Sequence, residues 1–202
     1  MRRRIAIAGL VAAGLIAAAA PSRAADQQTR FFLGSTFAGS STYVDLSGDD
    51  APSKAHLTYG GNLDLLGEIV GVDVDFAYTP GLFEGKNTNL VLKSSVTTLT
   101  GNVVVGMPRR WSEYSLRLYF VGGGGIMRVR EEDIQLIYDI SKVVPAVDLG
   151  VGAVGFLTNR VGVAWELRRF QQVGDTSQQT GLSFGGEHLS FWRAHMALVI
   201  RY

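Results

Sequence analysis

Along most of the chain, apolar and polar residues alternate with a period of two, as they do in a strand with one apolar and one polar face. The last run is the clearest. Trp192, Ala194, Met196, Leu198, Ile200 and Tyr202 fall on one face, and Arg193, His195, Ala197, Val199 and Arg201 on the other. Val161, Val163, Trp165 and Leu167 alternate in the same way with Gly162, Ala164, Glu166 and Arg168. Val72, Val74, Phe76 and Tyr78 alternate with Asp73, Asp75, Ala77 and Thr79, and Leu116, Leu118 and Phe120 with Arg117, Tyr119 and Val121. The periodicity predicts eight strands, at 30–44, 56–66, 71–83, 94–107, 114–129, 145–156, 161–172 and 188–202. Short connections (Gly67 to Val70, Pro108 to Glu113, Leu157 to Arg160) take turns with long ones (Asp45 to Ala55, Glu84 to Lys93, Arg130 to Val144, Val173 to Glu187). An even strand number, with short turns at one end and long loops at the other, is the plan of an all-β, eight-stranded antiparallel up-and-down barrel.

Alternation alone does not say which face is wet. A soluble pocket barrel of the lipocalin type turns its apolar face inward, whereas a transmembrane β-barrel turns it to lipid. Three observations favour lipid. All four lysines (Lys54, Lys86, Lys93, Lys142) lie in or beside the long connections, and only Glu166 among the glutamates sits well inside a strand. The charges within strands are mostly Asp and Arg, which suits a confined interior where planar guanidinium groups meet carboxylates. Trp192 and Tyr202 bracket ten residues. That spacing is roughly 33 Å of strand, or about 25 Å along the membrane normal at a tilt of about 40°.

Ahead of the strands, Arg2, Arg3 and Arg4 precede an apolar run from Ile5 to Ala20, with small residues before a cut after Ala24. This is the pattern of a secretory signal peptide at 1–24, followed by a single barrel domain at 25–202. The run is too short and too rich in alanine for a membrane-spanning helix. The segment also changes the charge. The 202-residue chain carries 19 basic and 18 acidic residues. Without Arg2, Arg3, Arg4 and Arg23 it carries 15 against 18. No basic nucleic-acid footprint remains. With no cysteine there is no disulfide framework and no thiol chemistry.

The segments Tyr59-Gly60-Gly61-Asn62-Leu63 and Val74 to Pro80, the run Gly122 to Gly125 and the end Phe191-Trp192-Arg193 through Arg201-Tyr202 are similar in kind and order to the small bacterial outer-membrane β-barrel proteins, the OmpA-domain and OmpX-like group. The resemblance covers Arg30 to Tyr202. It implies a monomeric closed barrel in the outer membrane, in contact with lipid and lipopolysaccharide. The terminal aromatic Tyr202 would then be read by the outer-membrane barrel assembly machinery. It implies no single activity, since members serve as adhesins, anchors, narrow pores or lipid-modifying enzymes.

Inside such a barrel the inward positions are Asp64, Asp73, Asp75, Arg117, Glu166, Arg168, Arg193, His195 and Arg201. Eight strands leave an interior just wide enough for side chains, so these residues are expected to pair into a structural plug, with a narrow passive channel as the alternative. Gly122 to Gly125 lack the following helix and the lysine of a phosphate loop. They are expected to mark a bend or bulge, or a place where bulky neighbours fit, because Arg128 falls out of phase with Arg117 unless the strand slips by one residue. His188 and Ser190, two apart near a loop, weakly resemble the His-x-Ser pair of lipid A deacylases. The longer motif around that pair is absent, so no catalytic residue is assigned. His56, His188 and His195 do not have metal-ligand spacing. No cofactor or metal is expected.

Overall fold

The computed structural model describes residues 26–41, 55–81, 91–108, 116–133, 139–173 and 189–202. The signal-peptide assignment and His188 lie outside them. Eight antiparallel strands run β1 (Asp26–Ser41), β2 (His56–Leu66), β3 (Val70–Pro80), β4 (Val91–Gly106), β5 (Leu116–Asp133), β6 (Asp139–Phe156), β7 (Val161–Gln172) and β8 (Leu189–Arg201). Each pairs with its sequence neighbour, and β1 pairs with β8 to close the barrel.

The register fixes the strand slope. A walk across paired residues from Gln27 passes Leu65, Val72, Val103, Gly122, Leu149, Arg169 and Trp192 and returns to β1 at Phe37, ten residues further on. Eight strands with that stagger tilt by about 40°. At this tilt the apolar outward positions form a continuous band. Leu149 and Phe120 are 71% and 67% exposed, and Phe31, Leu63, Val74, Val151, Trp165 and Met196 are also open. At the long-connection end the band closes with Tyr59 and Tyr78, whose rings lie 5.6 Å apart, and with Trp192. Tyr202 lies outward at the other end, its backbone N–H donating to the Gln27 carbonyl at 3.0 Å.

Three expectations change. β1 opens at Asp26 rather than at Arg30. The connection expected from Arg130 to Val144 is largely strand, because Arg130 pairs with Ser141 and Glu132 with Asp139. Those polar pairs carry no alternation, and Pro145 reads as a breaker. The proline is tolerated because its carbonyl accepts the Val173 N–H, so its missing donor faces the side where β7 has just ended. Lastly, no bulge occurs at Gly122 to Gly125. The β4–β5 register runs unbroken from Lys93↔Glu132 to Gly106↔Tyr119, and Arg128 points outward. The register shifts lie at Phe37/Ser40 and Val91/Lys93 instead. The glycines answer to close backbone approach: a Cβ on Gly125 would meet the Leu99 carbonyl oxygen and the Thr100 Cα, and one on Gly123 the Gly101 carbonyl oxygen.

Candidate functional site: a charge network across the lumen

Strand alternation and the barrel stagger bring two unlike walls face to face. Asp64, Asp73 and Asp75 point inward from β2 and β3, and Asp64 stands directly across from Asp73 in the register. Arg168 and Arg193 point inward from β7 and β8 and also stand opposite each other. Like charges side by side are unfavourable on a sheet face. The geometry resolves this by bridging through the lumen.

The Arg168 guanidinium reaches Asp73 Oδ2 at 2.9 Å and Asp148 Oδ2 at 3.2 Å, and its Nε donates to Glu166 Oε1. Arg193 reaches Asp75 Oδ2 at 2.7 Å, and its guanidinium lies over the rings of Phe32 and Phe170, 4.9 and 4.7 Å from their centroids. Asn62 donates to both Asp73 and Asp75, at 2.7 and 3.0 Å, and Asn102 donates to the other Asp73 oxygen. Arg30 completes the set from β1. Its Nε lies 2.8 Å from Asp64, and its NH1 donates to the Tyr119 hydroxyl at 2.6 Å. That hydroxyl in turn donates to Glu166 Oε2 at 2.7 Å. His195, opposite Glu166 in the register, lies 3.7 Å from its carboxylate and against the Phe32 ring.

This network occupies the middle of the lumen between two apolar layers. Towards the long connections, Val96, Met127, Val129, Val144, Ala146, Phe170, Leu189 and Phe191 form one inward cluster. The second lies mostly towards the short turns and includes Leu66, Val104, Val121, Val154, Ala164, Ala197 and Val199.

Of the nine lumen positions expected from sequence, Asp64, Asp73, Asp75, Glu166, Arg168, Arg193 and His195 lie in the network. Arg117 is inward but closes the turn end, donating to the carbonyls of Gly67, Glu68 and Met107 at 3.1, 2.7 and 3.0 Å. Arg201 is not a lumen residue. It is partly exposed at the rim, where it donates to the Asn159 carbonyl and covers the Phe156 ring. The last inward position of a strand opens to solvent. Arg30, Asp148, Tyr119, Asn62 and Asn102 were not singled out from the sequence. Asp148 and Tyr119 share the inward parity of their strands, which was the signal available for them. Ser190 takes an outward position on β8 opposite Gln171. Among the described residues, no group of three or more His, Asp or Glu is placed to hold a metal ion.

No protein-family profile matches the chain, and no curated protein matches its sequence. Solved structures do match. Neisserial surface protein A superposes with a TM-score of 0.64 at 7% identity, over 87% of this chain and 97% of its own. OprG of Pseudomonas aeruginosa gives 0.56 at 12% identity, over 89% and 96%. The attachment invasion locus protein Ail of Yersinia pestis gives 0.52 at 13%, over 88% and 99%. At these identities the likeness is one of fold: a closed, eight-stranded antiparallel barrel.

Proposed function

We propose that this chain is an integral barrel of a bacterial outer membrane with a structural or surface-interaction role, a sealed lumen and no catalysis of its own. The observation that carries the reading is the lumen: arginine–carboxylate bridges cross it from wall to wall, and an apolar layer lies on either side. A water column would have to pass a hydrophobic constriction and displace paired ions. The apolar outer band and the fold neighbours support the membrane setting. In this reading residues 1–24 direct export and are removed, the barrel assembly machinery engages the strand ending at Tyr202, and the barrel works as a monomer with its long connections facing outwards. Lipid and lipopolysaccharide surround it.

Two experiments test this. Val151 is outward in the middle of the apolar band, paired with Phe120 and Leu167. Val151→Arg should destabilise the barrel in bilayers by about 2–4 kcal/mol, read from urea unfolding of the vesicle-inserted protein. A neutral result would place that face in water and promote the soluble, lipocalin-like barrel. In planar bilayers at physiological salt the wild-type barrel should give no steady conductance, whereas Phe170→Ala with Phe191→Ala should admit intermittent current. These two rings stack at 5.1 Å in the apolar layer towards the long connections. Steady wild-type current would support the channel reading instead.

A further inference from the structure

Arg169 points outward from β7, directly opposite Trp192 of β8, and its guanidinium lies 5.7 Å from the centroid of the indole. Gln171, the next outward position of β7, is exposed and stands opposite Ser190. On the β6 side Arg169 faces Leu149, and the outward residue below it on β7 is Leu167. The cation therefore sits in the upper edge of the apolar band, at the level of a ring that marks the headgroups of a bilayer. Among the described residues its guanidinium meets the indole and no carboxylate or carbonyl. A charged group with five N–H donors is costly against hydrocarbon unless its surroundings supply an acceptor. The strongest acceptor of a bilayer at this depth is a lipid phosphate, which a guanidinium meets through paired, charge-assisted hydrogen bonds. The outward arginines of β5 lie elsewhere: Gly122 shares a row with Leu149 and Arg169, so Arg128 is six residues, roughly 20 Å of strand, beyond that row.

Beneath this block the wall is hollow. An apolar groove of about 1140 Å³ crosses the outer face, with Ala194, Leu167, Val151, Phe120 and Val105 along it. Ala194 and Leu167 pair with each other and are the next outward positions below Trp192 and Arg169, so the groove begins where the block ends. Ala194 and Ala153 keep it open between the larger Trp165, Leu167 and Met196.

We propose that Arg169, Gln171 and Trp192 form a seat for the phosphate of a membrane lipid in the leaflet facing the long connections, with an acyl chain of that lipid in the groove beneath. The indole holds the guanidinium by its face and leaves the N–H edge to the phosphate oxygens. The inference rests on the membrane-spanning reading and adds a ligand class to it.

The test is native mass spectrometry of the folded barrel in a neutral detergent, offered bisphosphorylated lipid A, dephosphorylated lipid A, phosphatidylglycerol or diacylglycerol. The two phosphate-bearing lipids should be retained, and the two without phosphate lost. The preference between lipid A and phosphatidylglycerol identifies the source of the phosphate. R169Q should lower retention about fivefold, and R169K less. A194F, which fills the groove and leaves the cation in place, should lower it too, whereas R128Q should leave it unchanged. All variants should keep the folded gel mobility, because these side chains lie outside the packed lumen. Equal retention of phosphorylated and dephosphorylated lipid A, wild-type retention by R169Q, or an equal loss in R128Q would overturn the seat. Wild-type retention by A194F would overturn the groove. Neither result touches the membrane reading, which stands or falls on Val151→Arg.

Discussion

Arg168→Met should lower the stability of the folded barrel by about 3–5 kcal/mol, the cost of leaving buried charges without their partner. Arg168 is fully buried and, among the described residues, is the side chain that touches Asp73, Asp148 and Glu166 together. Methionine fills much of its volume, so the loss measures charge rather than cavity. The measurement is the urea midpoint of the barrel in vesicles, followed by the faster band that the unheated protein gives on a gel. Asp73→Asn should recover part of the loss in the Arg168→Met background while costing stability alone, since Arg168 then loses a partner. If Arg168→Met unfolds at the wild-type midpoint, the bridges are bystanders and the apolar layers alone hold the lumen.

A comparable loss should follow from a single methyl group. Gly125→Ala should destabilise the barrel by about 3 kcal/mol, because the new Cβ falls on the backbone of the neighbouring strand and overpacking against backbone has no soft way out. Gly101→Ala, directly opposite Gly124 on β4, should be neutral, since its Cβ would point into open space. The same two variants distinguish a glycine kept for backbone approach from one kept for flexibility. If flexibility were the reason, both would lose stability by similar amounts.

Much of the architecture was legible because a barrel strand writes its two environments into odd and even positions. The parity of Asp73 and Asp75, or of Arg193 and His195, needs no structure to read. What parity does not carry is reach. That Arg168 meets Asp73 depends on the ten-residue stagger, which sets the heights of β3 and β7 relative to each other and leaves no mark in either strand. Arg30 is the first residue of the expected strand 30–44, whereas β1 begins four residues earlier and makes it an interior, inward position. Asp148 lies inside the expected strand 145–156 with inward parity, but nothing in that strand shows that Arg168 reaches it. The inward apolar layers were hidden by the assumption that lumen means polar: Met127 and Phe170 share the parity of charged neighbours, and only packing shows that they enclose the ions. Gly122 to Gly125 misled in the opposite direction, since a change of polarity was read as a slip of register.

The bridges of the lumen join residues that are 95 and 118 positions apart, Asp73 with Arg168 and Asp75 with Arg193. β3 and its counter-charges on β7 and β8 stand on strands that are not neighbours, and they meet when the sheet curls closed. Until β7 and β8 join the sheet, Asp73 and Asp75 have no arginine across from them, whereas Asp64 already has Arg30 of β1 beside it. For Asp73 and Asp75, neutralisation and closure are then a single event. An unfinished sheet has the pairs between neighbouring strands, such as Arg30–Asp64 and Arg168–Asp148, but lacks the bridges that cross the lumen. Uncurling a finished one parts Asp73 from Arg168 and Asp75 from Arg193 together. These two bridges favour the closed ring over an open sheet, because they join strands that are not neighbours.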